Sequence, residues 1–292
     1  MPENSILFLI NGKAGHGLPK NFEKIIASIL KAHDIEFKIS FSAYPGHLKS
    51  LAIAGVDEGF KTIVVVGGDG SINEAFSALL YTDVKLGIIP LGSGNGLARH
   101  LKIPIKFEQA LALIVKGNSK LIDSAILNGI PYLSIAGTGF DALVAKHFAK
   151  SKTRGFLAYF TLTIKHYFSY KPIKYQITTD NEDFSTNAML ISFSNSNQFG
   201  YNISLAPQAV IDDGLLDICV IQKPTFFALP LTAYYLLTKK INKSKYYKRI
   251  LSKNTTIVCS GESLINVDGE YIEPSKEIKV QIMPLSINIL IP

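Results

Sequence analysis

The first 125 residues alternate between short unbroken apolar runs and longer stretches whose apolar positions fall three and four apart. "SILFLI" (5–10) reads as a buried strand and "LPKNFEKIIASILKAH" (18–33) as an amphipathic helix. The pair of patterns recurs as "EFKISFS" (36–42) with "GHLKSLAIAGVDEG" (46–59), and as "TIVVVGG" (62–68) with "SINEAFSALLY" (71–81). A fourth strand, "KLGIIPL" (85–91), leads to a helix starting near Asn95. Strand and helix in regular turn predict a parallel sheet with right-handed crossovers. After about residue 126 the pattern shortens to "KYQITTD", "NAMLISFS", "LLDICVIQ", "NTTIVCS", "SLINVD" and "KEIKVQIM", separated by turn residues. These predict an antiparallel sandwich or barrel, interrupted by helical stretches near 142–168 and 225–250. The fold class is therefore α/β: an N-terminal parallel-sheet domain over 1–126 and a C-terminal β-rich, antiparallel sandwich-like domain over 127–283. Residues 284–292 are candidates to return to the first domain.

Composition narrows this picture. A chain of 292 residues with 47% hydrophobic and 18% charged positions suits two domains with sizeable cores and excludes a disordered protein. Cys219 and Cys259 stand forty positions apart with no C-x-x-C, so neither a disulfide framework nor a zinc site is expected, and a reducing, cytoplasmic setting fits. The six histidines show no metal-binding spacing. The apolar run at the start lacks a signal peptide's charged front and cleavage site. The longest apolar stretch, "TFFALPLTAYYLL" (225–237), has thirteen residues and contains Pro230. A membrane span needs about 20, so a soluble protein is expected. The net charge of +7 is local: Lys239 to Lys253 holds seven basic residues and no acid, and without it 23 basic face 23 acidic residues.

Candidate chemistry lies in three glycine turns that follow strands: "NGKAGHG" (11–17), "GGDGSIN" (67–73) and "PLGSGNG" (90–96). Glycine lets a ligand approach the backbone closely, and bare N–H groups at a helix start form an anion site. In parallel sheets, ligands sit outside the carboxyl ends of the strands, where these turns fall. The Walker loop, the Rossmann G-x-G-x-x-G and the G-x-S-x-G serine elbow all fail. What remains is G-G-D-G-S, with Asp69 inside a phosphate-type turn. An acid there repels phosphate unless a cation stands between them, which points to Mg²⁺. The competing reading makes Asp69 a turn-stabilising residue bonded to its own backbone. Further on, "VDGEYIE" places Asp268 and Glu270 two apart, able to share one face as a carboxylate base. It is equally an ordinary Asp-Gly hairpin, and both readings can hold.

GGDGSIN, PLGSGNGLAR, GTGFDA (137–142), APQAVIDDGLLD (206–217) and VDGE (267–270) stand in the order seen in the diacylglycerol kinase catalytic-domain family. From Asn11 to Glu270 the chain resembles that family, which includes soluble bacterial lipid kinases and the sphingosine and ceramide kinases. The resemblance implies a NAD kinase- and diacylglycerol kinase-like fold whose first domain binds ATP. The ATP positions it implies are Asn11, Gly12, Lys13, Ala14, Gly15, Ser42, Gly67, Gly68, Asp69, Gly70, Ser71, Ile72, Asn73 and Ser93. It further implies a structural Mg²⁺ held by Asp213 with the carbonyls of Val210 and Leu215, and Glu270 as proton acceptor beside Asp268. Asp217, at the end of the DDGLLD block, is read as facing solvent at a strand start. Ser71 replaces the usual Thr and keeps the hydroxyl. Gly96, where bacterial diacylglycerol kinases usually carry Asp, leans toward the sphingosine and ceramide branch.

The reading that follows is an ATP- and Mg²⁺-dependent kinase for a lipid alcohol: diacylglycerol, a sphingoid base or a related lipid. A kinase for a soluble acceptor, and a non-catalytic lipid- or nucleotide-binding protein, stay as alternatives. The basic segment is a candidate for peripheral contact with the inner membrane surface. No nucleic-acid module is visible, and a dimer stays open. "GFLAYFTLTIKHYF" (155–168) is apolar nearly all round, as expected of a core helix or the lining of an acyl groove.

Overall fold

The computed structural model describes residues 5–12, 18–92, 94–151, 155–197 and 203–292. The chain divides into two compact units, residues 1–122 with 285–292, and residues 123–284.

In the first unit, β1 (Ile6–Asn11), β2 (Phe37–Ser42), β3 (Thr62–Gly67) and β4 (Lys85–Pro90) alternate with α1 (Phe22–Lys31), α2 (His47–Asp57), α3 (Asp69–Phe76), α4 (Gly96–His100) and α5 (Phe107–Lys116). The strands pair in parallel in the order β2–β1–β3–β4. Beyond β4 lies the end of β14 (Glu270–Leu290), parallel to it through Asn288 opposite Lys85 and Ile289 opposite Leu86. β1, β3 and β4 are buried almost throughout, which explains their unbroken apolar runs: helices cover both faces of the sheet. α2 packs so close to β1 that a methyl on Gly55 would stand 2.4 Å from Leu7. Because β2 and β3 lie on opposite sides of β1, the strand order reverses there. The carboxyl ends of β1 and β3, Asn11 and Gly67, flank the crevice such a reversal opens.

The second unit runs from the inner end of β5 (Ser119–Leu127) through β6 (Ile130–Tyr132), β7 (Ile135–Gly139), α6 (Phe140–Lys150) and α7 (Phe156–Tyr167). β8 (Ile173–Thr179), β9 (Asp183–Ala188), β10 (Leu190–Ser194), β11 (Leu216–Ile221), α8 (Leu229–Leu237), β12 (Tyr247–Ser252), β13 (Asn254–Val267) and most of β14 follow. The pairing is antiparallel, in the order β12–β11–β10–β7–β13–β14, with the β8–β9 hairpin on β13. Its core gathers Tyr132, Tyr175, Phe193, Ile218, Ile257, Ile265 and Ile278. A smaller cluster of Phe140, Val144, Met189, Leu190, Leu205 and Ile221 is packed by side chains of α7 and α8, including Tyr159, Leu162 and Leu236.

Three expectations are corrected here. The helical stretch near 225–250 ends early: α8 stops at Leu237, and Tyr247–Ser252 is a strand against β11. The stretch near 142–168 is two helices, α6 and α7. Asp217 does not face solvent, because it lies on β11 opposite Leu251 with Arg249 diagonally across on β12, and the two side chains form an ion pair. Burial raises the Asp217 carboxyl against the lowering by Arg249.

Candidate active site

At the carboxyl edge of the first sheet, Asn11 Nδ2 donates to Ser71 Oγ at 2.9 Å, joining the end of β1 to the first turn of α3. Asn11 stands opposite Ser42 at the end of β2, and Gly12 lies against the Ser42 carbonyl. Gly67 is fixed as glycine by contact: a Cβ there would meet Ser71 at 2.6 Å. A Cβ on Gly92 would meet the Gly68 backbone at 2.7 Å and Asn95 Oδ1 at 2.8 Å. The second and third turns therefore touch main chain to main chain, which no side chain permits.

Asn95 locks the third turn. It is buried in a left-handed conformation, accepts from the Gly92 amide at 2.8 Å and donates to the Gly92 carbonyl at 2.7 Å. Asp69, Gly70, Ser71, Ile72 and Asn73 form the first turns of α3 and present its N-terminal amides at this edge. Asp69 reaches to the third turn, its Oδ1 accepting from the Leu97 amide at 3.4 Å. Burial raises its carboxyl above the usual range, while the amides of Gly96, Leu97 and Asn95 pull it down. The turn-stabilising alternative thus takes a specific form: Asp69 braces the start of α4 as well as its own turn. Ile72 is buried in the core, so only its backbone faces this edge, and Asn73 Oδ1 is buried with no partner among the described residues. Such an orphaned acceptor fits a ligand that brings a donor. Lys13, Ala14, Gly15 and Ser93 lie outside the described residues.

The remaining candidates belong to the second unit. β13 and β14 join through Val267 opposite Glu270, leaving Asp268 and Gly269 as a two-residue turn with both φ positive, the geometry that Asp-Gly favours. The Asp268 carboxylate accepts three amides, from Leu133 at 2.9 Å, Ser134 at 3.0 Å and Ile135 at 2.9 Å. Asp268 is thereby turned onto the backbone, and Glu270, two residues on, is exposed. In the DDG turn, Asp213 Oδ1 accepts from the Leu215 amide at 3.0 Å, and buried Asp123 accepts from the Gly214 amide at 2.7 Å. Burial raises the Asp213 carboxyl, and the neighbouring charges of Asp123 and Asp212 push the same way. Crowded acids beside the exposed Val210 carry the hard oxygen donors that suit Mg²⁺. Among the described residues no three His, Cys, Asp or Glu side chains group as a metal site, so a cation here would rest on Asp213 and backbone carbonyls.

The sequence reading missed Asn195. Fully buried, it donates from Nδ2 to the carbonyls of Asp123 and Leu133, both at 2.8 Å. One side chain so ties the segment that holds Asp268 to the residue that holds the DDG turn. Nothing in "SNSN" announces this, because its partners come from segments distant in sequence. Asp141 was equally unassigned, although GTGFDA contains it.

Comparison with known proteins gives the family and the fold. Residues 5–126 match the diacylglycerol kinase catalytic domain, and residues 134–291 match the YegS C-terminal NAD kinase beta sandwich-like domain. The chain belongs to the diacylglycerol kinase catalytic-domain family, a family of phosphotransferases. A "Diacylglycerol kinase" of Mycobacterium tuberculosis is 30% identical over 73% of this chain and 72% of that protein. A "Probable lipid kinase YegS-like" of Shewanella frigidimarina is 26% identical over 100% of this chain and 95% of that protein. The crystal structure of a diacylglycerol kinase from Bacillus anthracis shares the fold, with a TM-score of 0.78 at 20% identity over 100% of this chain and 98% of that one.

Proposed function

We propose that this protein transfers the γ-phosphate of ATP to the hydroxyl of a lipid alcohol. The observation that carries the reading is the contact of two glycine turns at the carboxyl ends of β3 and β4, beside the reversal of strand order, with Asp69 opening α3 between them. In phosphoryl transfer a protein mainly positions groups and offsets charge. Here the bare backbone around Gly67, Gly68 and Gly92 would cradle phosphates, the amides at the start of α3 would bond their oxygens, and Asn73 Oδ1 would take a donor. Mg²⁺, when bound, would neutralise phosphate charge, with Asp69 as its holder; Asp213 with Val210 and Leu215 would hold a second, structural ion. Glu270 would accept the proton as the acceptor oxygen bonds to the γ-phosphorus and the bond to ADP breaks. Asp268 would fix the turn that carries Glu270.

A lipid acceptor calls for a membrane-facing surface, and the second unit offers one. On α7, Leu157, Phe160 and Ile164 are exposed at helical spacing, with exposed Phe168 just past its end, so α7 is not wholly a core helix. Tyr167 Oη donates to the Pro224 carbonyl at 2.8 Å, which brings the segment leading into α8 alongside. There Phe226, Phe227, Leu231, Tyr234 and Leu237 are exposed, Phe227 at 92%. Lys239, Lys240, Lys243 and Lys245 follow, also exposed. The basic segment is smaller than its sequence suggests, since Lys248 pairs with Glu182 and Arg249 with Asp217. Apolar side chains beside four lysines match an anionic bilayer, each cation contributing about 1 kcal/mol near such a surface. Among the described residues no helix is long and apolar enough to cross a membrane, so contact would be from one side.

The reading is tested by incubating the protein with radiolabelled ATP, Mg²⁺ and mixed micelles of lipid alcohols. Label on a lipid is expected; label confined to soluble acceptors would overturn it. In liposome flotation, binding to vesicles containing anionic lipid is expected to fall at least tenfold for Phe226→Ser/Phe227→Ser. It should weaken with salt in the wild type, and less so once Lys239, Lys240, Lys243 and Lys245 are neutralised. Flotation equal to wild type in both variants would assign the surface another role.

A further inference from the structure

Asp141 lies in the first turn of α6 with 4% of its surface exposed. Its Oδ2 accepts from Asn266 Nδ2, while among the described residues Oδ1 is buried with no well-formed hydrogen bond, the amides of Ala142 and of Asp141 itself standing near enough only to lower the acid somewhat. Among the described residues no cation is paired with it. The backbone makes room for this carboxylate at some cost, since a Cβ on Gly137 would stand 2.3 Å from Oδ2 and 3.2 Å from the Ile191 carbonyl. Gly139, at φ +98, is approached by two phenols: a Cβ there would stand 3.0 Å from Tyr175 Oη and 3.1 Å from Tyr170 Oη. Tyr175 Oη and Thr138 Oγ1 both bond Ser263 Oγ, at 3.2 and 2.7 Å. Burial raises the phenols of Tyr159 and Tyr170, and the Asp141 charge raises them further. This polar knot borders the apolar cluster of Phe140, Val144, Met189 and Leu190, which Tyr159 and Leu162 of α7 and Leu236 of α8 complete.

A half-satisfied carboxylate in such surroundings does not stabilise a fold. Burying an acid without full pairing is unfavourable, and an apolar or amide side chain would serve packing better. Burial itself answers part of the strain by pushing the Asp141 carboxyl up to about 7. Its remaining oxygen is an acceptor waiting for a donor, at the inner end of a cluster whose outer helices present the exposed apolar stripes. Resting on the lipid-kinase reading, we propose that Asp141 is the polar end of the acceptor site, its Oδ1 taking a hydrogen bond from a second hydroxyl or a protonated amine on the lipid head, distinct from the hydroxyl that is phosphorylated. Tyr170 stands beside that head, and α7 and α8 receive the chain that follows it.

Two variants and two readouts test this. Asp141→Ala removes the acceptor; Asp141→Asn keeps the bond from Asn266 and changes only the group at Oδ1. Turnover is measured with dioleoylglycerol, sphingosine and N-acetylsphingosine in mixed micelles, and binding of sphingosine by titration calorimetry in the absence of ATP. Both variants are expected to raise the sphingosine KM and Kd at least tenfold, with the KM for ATP unchanged and the melting temperature held or raised. If the donor is an amine, sphingosine suffers more than N-acetylsphingosine; if it is a second hydroxyl, both suffer alike. Dioleoylglycerol, whose single hydroxyl is the one that reacts, is spared in either case, and phosphorylation of dioleoylglycerol alone would overturn the proposal. Folded variants with sphingosine KM and Kd within twofold of wild type would overturn the proposal, leaving internal water as the partner of Oδ1. The two readings separate cleanly. Asp141-dependent binding without lipid phosphorylation would sink the kinase reading alone, and phosphorylation of sphingosine and N-acetylsphingosine indifferent to Asp141 would sink this one alone.

Discussion

Asp69→Asn is expected to lower kcat by about 10²–10³-fold, the range seen when one preorganised electrostatic contact is removed from an active site, while the protein stays folded. The substitution suits the geometry: an Asn carbonyl still accepts from the Leu97 amide, so the bridge between α3 and the start of α4 survives and only the charge is lost. Because burial already holds this carboxyl above its usual range, losing the charge relieves rather than strains the turn. The melting temperature should accordingly hold or rise. If Asp69 holds Mg²⁺ against phosphate, the variant needs a higher Mg²⁺ concentration for half-maximal rate. Wild-type turnover in a folded Asp69→Asn protein would reduce Asp69 to a brace between two turns.

Asp268→Ala should behave in the opposite way, with loss of stability ahead of any specific loss of chemistry. The carboxylate is the acceptor for three consecutive amides, Leu133, Ser134 and Ile135. Hydrogen bonds to charged groups contribute about 1.5–3 kcal/mol each, with less than full additivity, so a loss of about 3–5 kcal/mol is expected in denaturant unfolding. Alanine also sits poorly at the positive φ of residue 268. Asp268→Asn keeps the backbone conformation and part of the bonding, and should fall between the two. A variant as stable as wild type yet inactive would make Asp268 a direct participant in proton transfer instead of the support for Glu270.

The parallel sheet was legible because both of its faces are covered: β1, β3 and β4 are apolar along nearly their whole length, which length and periodicity separate from helix. The glycine turns were legible because backbone contact forbids side chains, a demand written locally at Gly67, Gly68 and Gly92. Long-range pairing was not. "NAMLISFS" is one apolar run, yet Ala188 pairs with Ile173 while Leu190 faces Gly139 and Ile221, so the chain changes partners at Met189. β12 is basic and sparse in apolar residues, and only its position beside β11 makes it a strand. The same distance in sequence hid the Asp217–Arg249 pair, the bridging by Asn195 and the isolation of Asp141. Each depends on what a second segment places opposite, which composition and spacing do not encode.

β14 has a consequence for the order in which the molecule is made. Its last residues add the strand beside β4, yet they are translated only after the whole of unit 123–284. During synthesis the early sheet must therefore wait with one margin bare, and a bare margin is where strands from other chains attach. A gene fragment ending near residue 122 would freeze the molecule at that stage, carrying every glycine turn but lacking the strand that seals the sheet, and a ribosome stalled before residue 285 would expose the same seam.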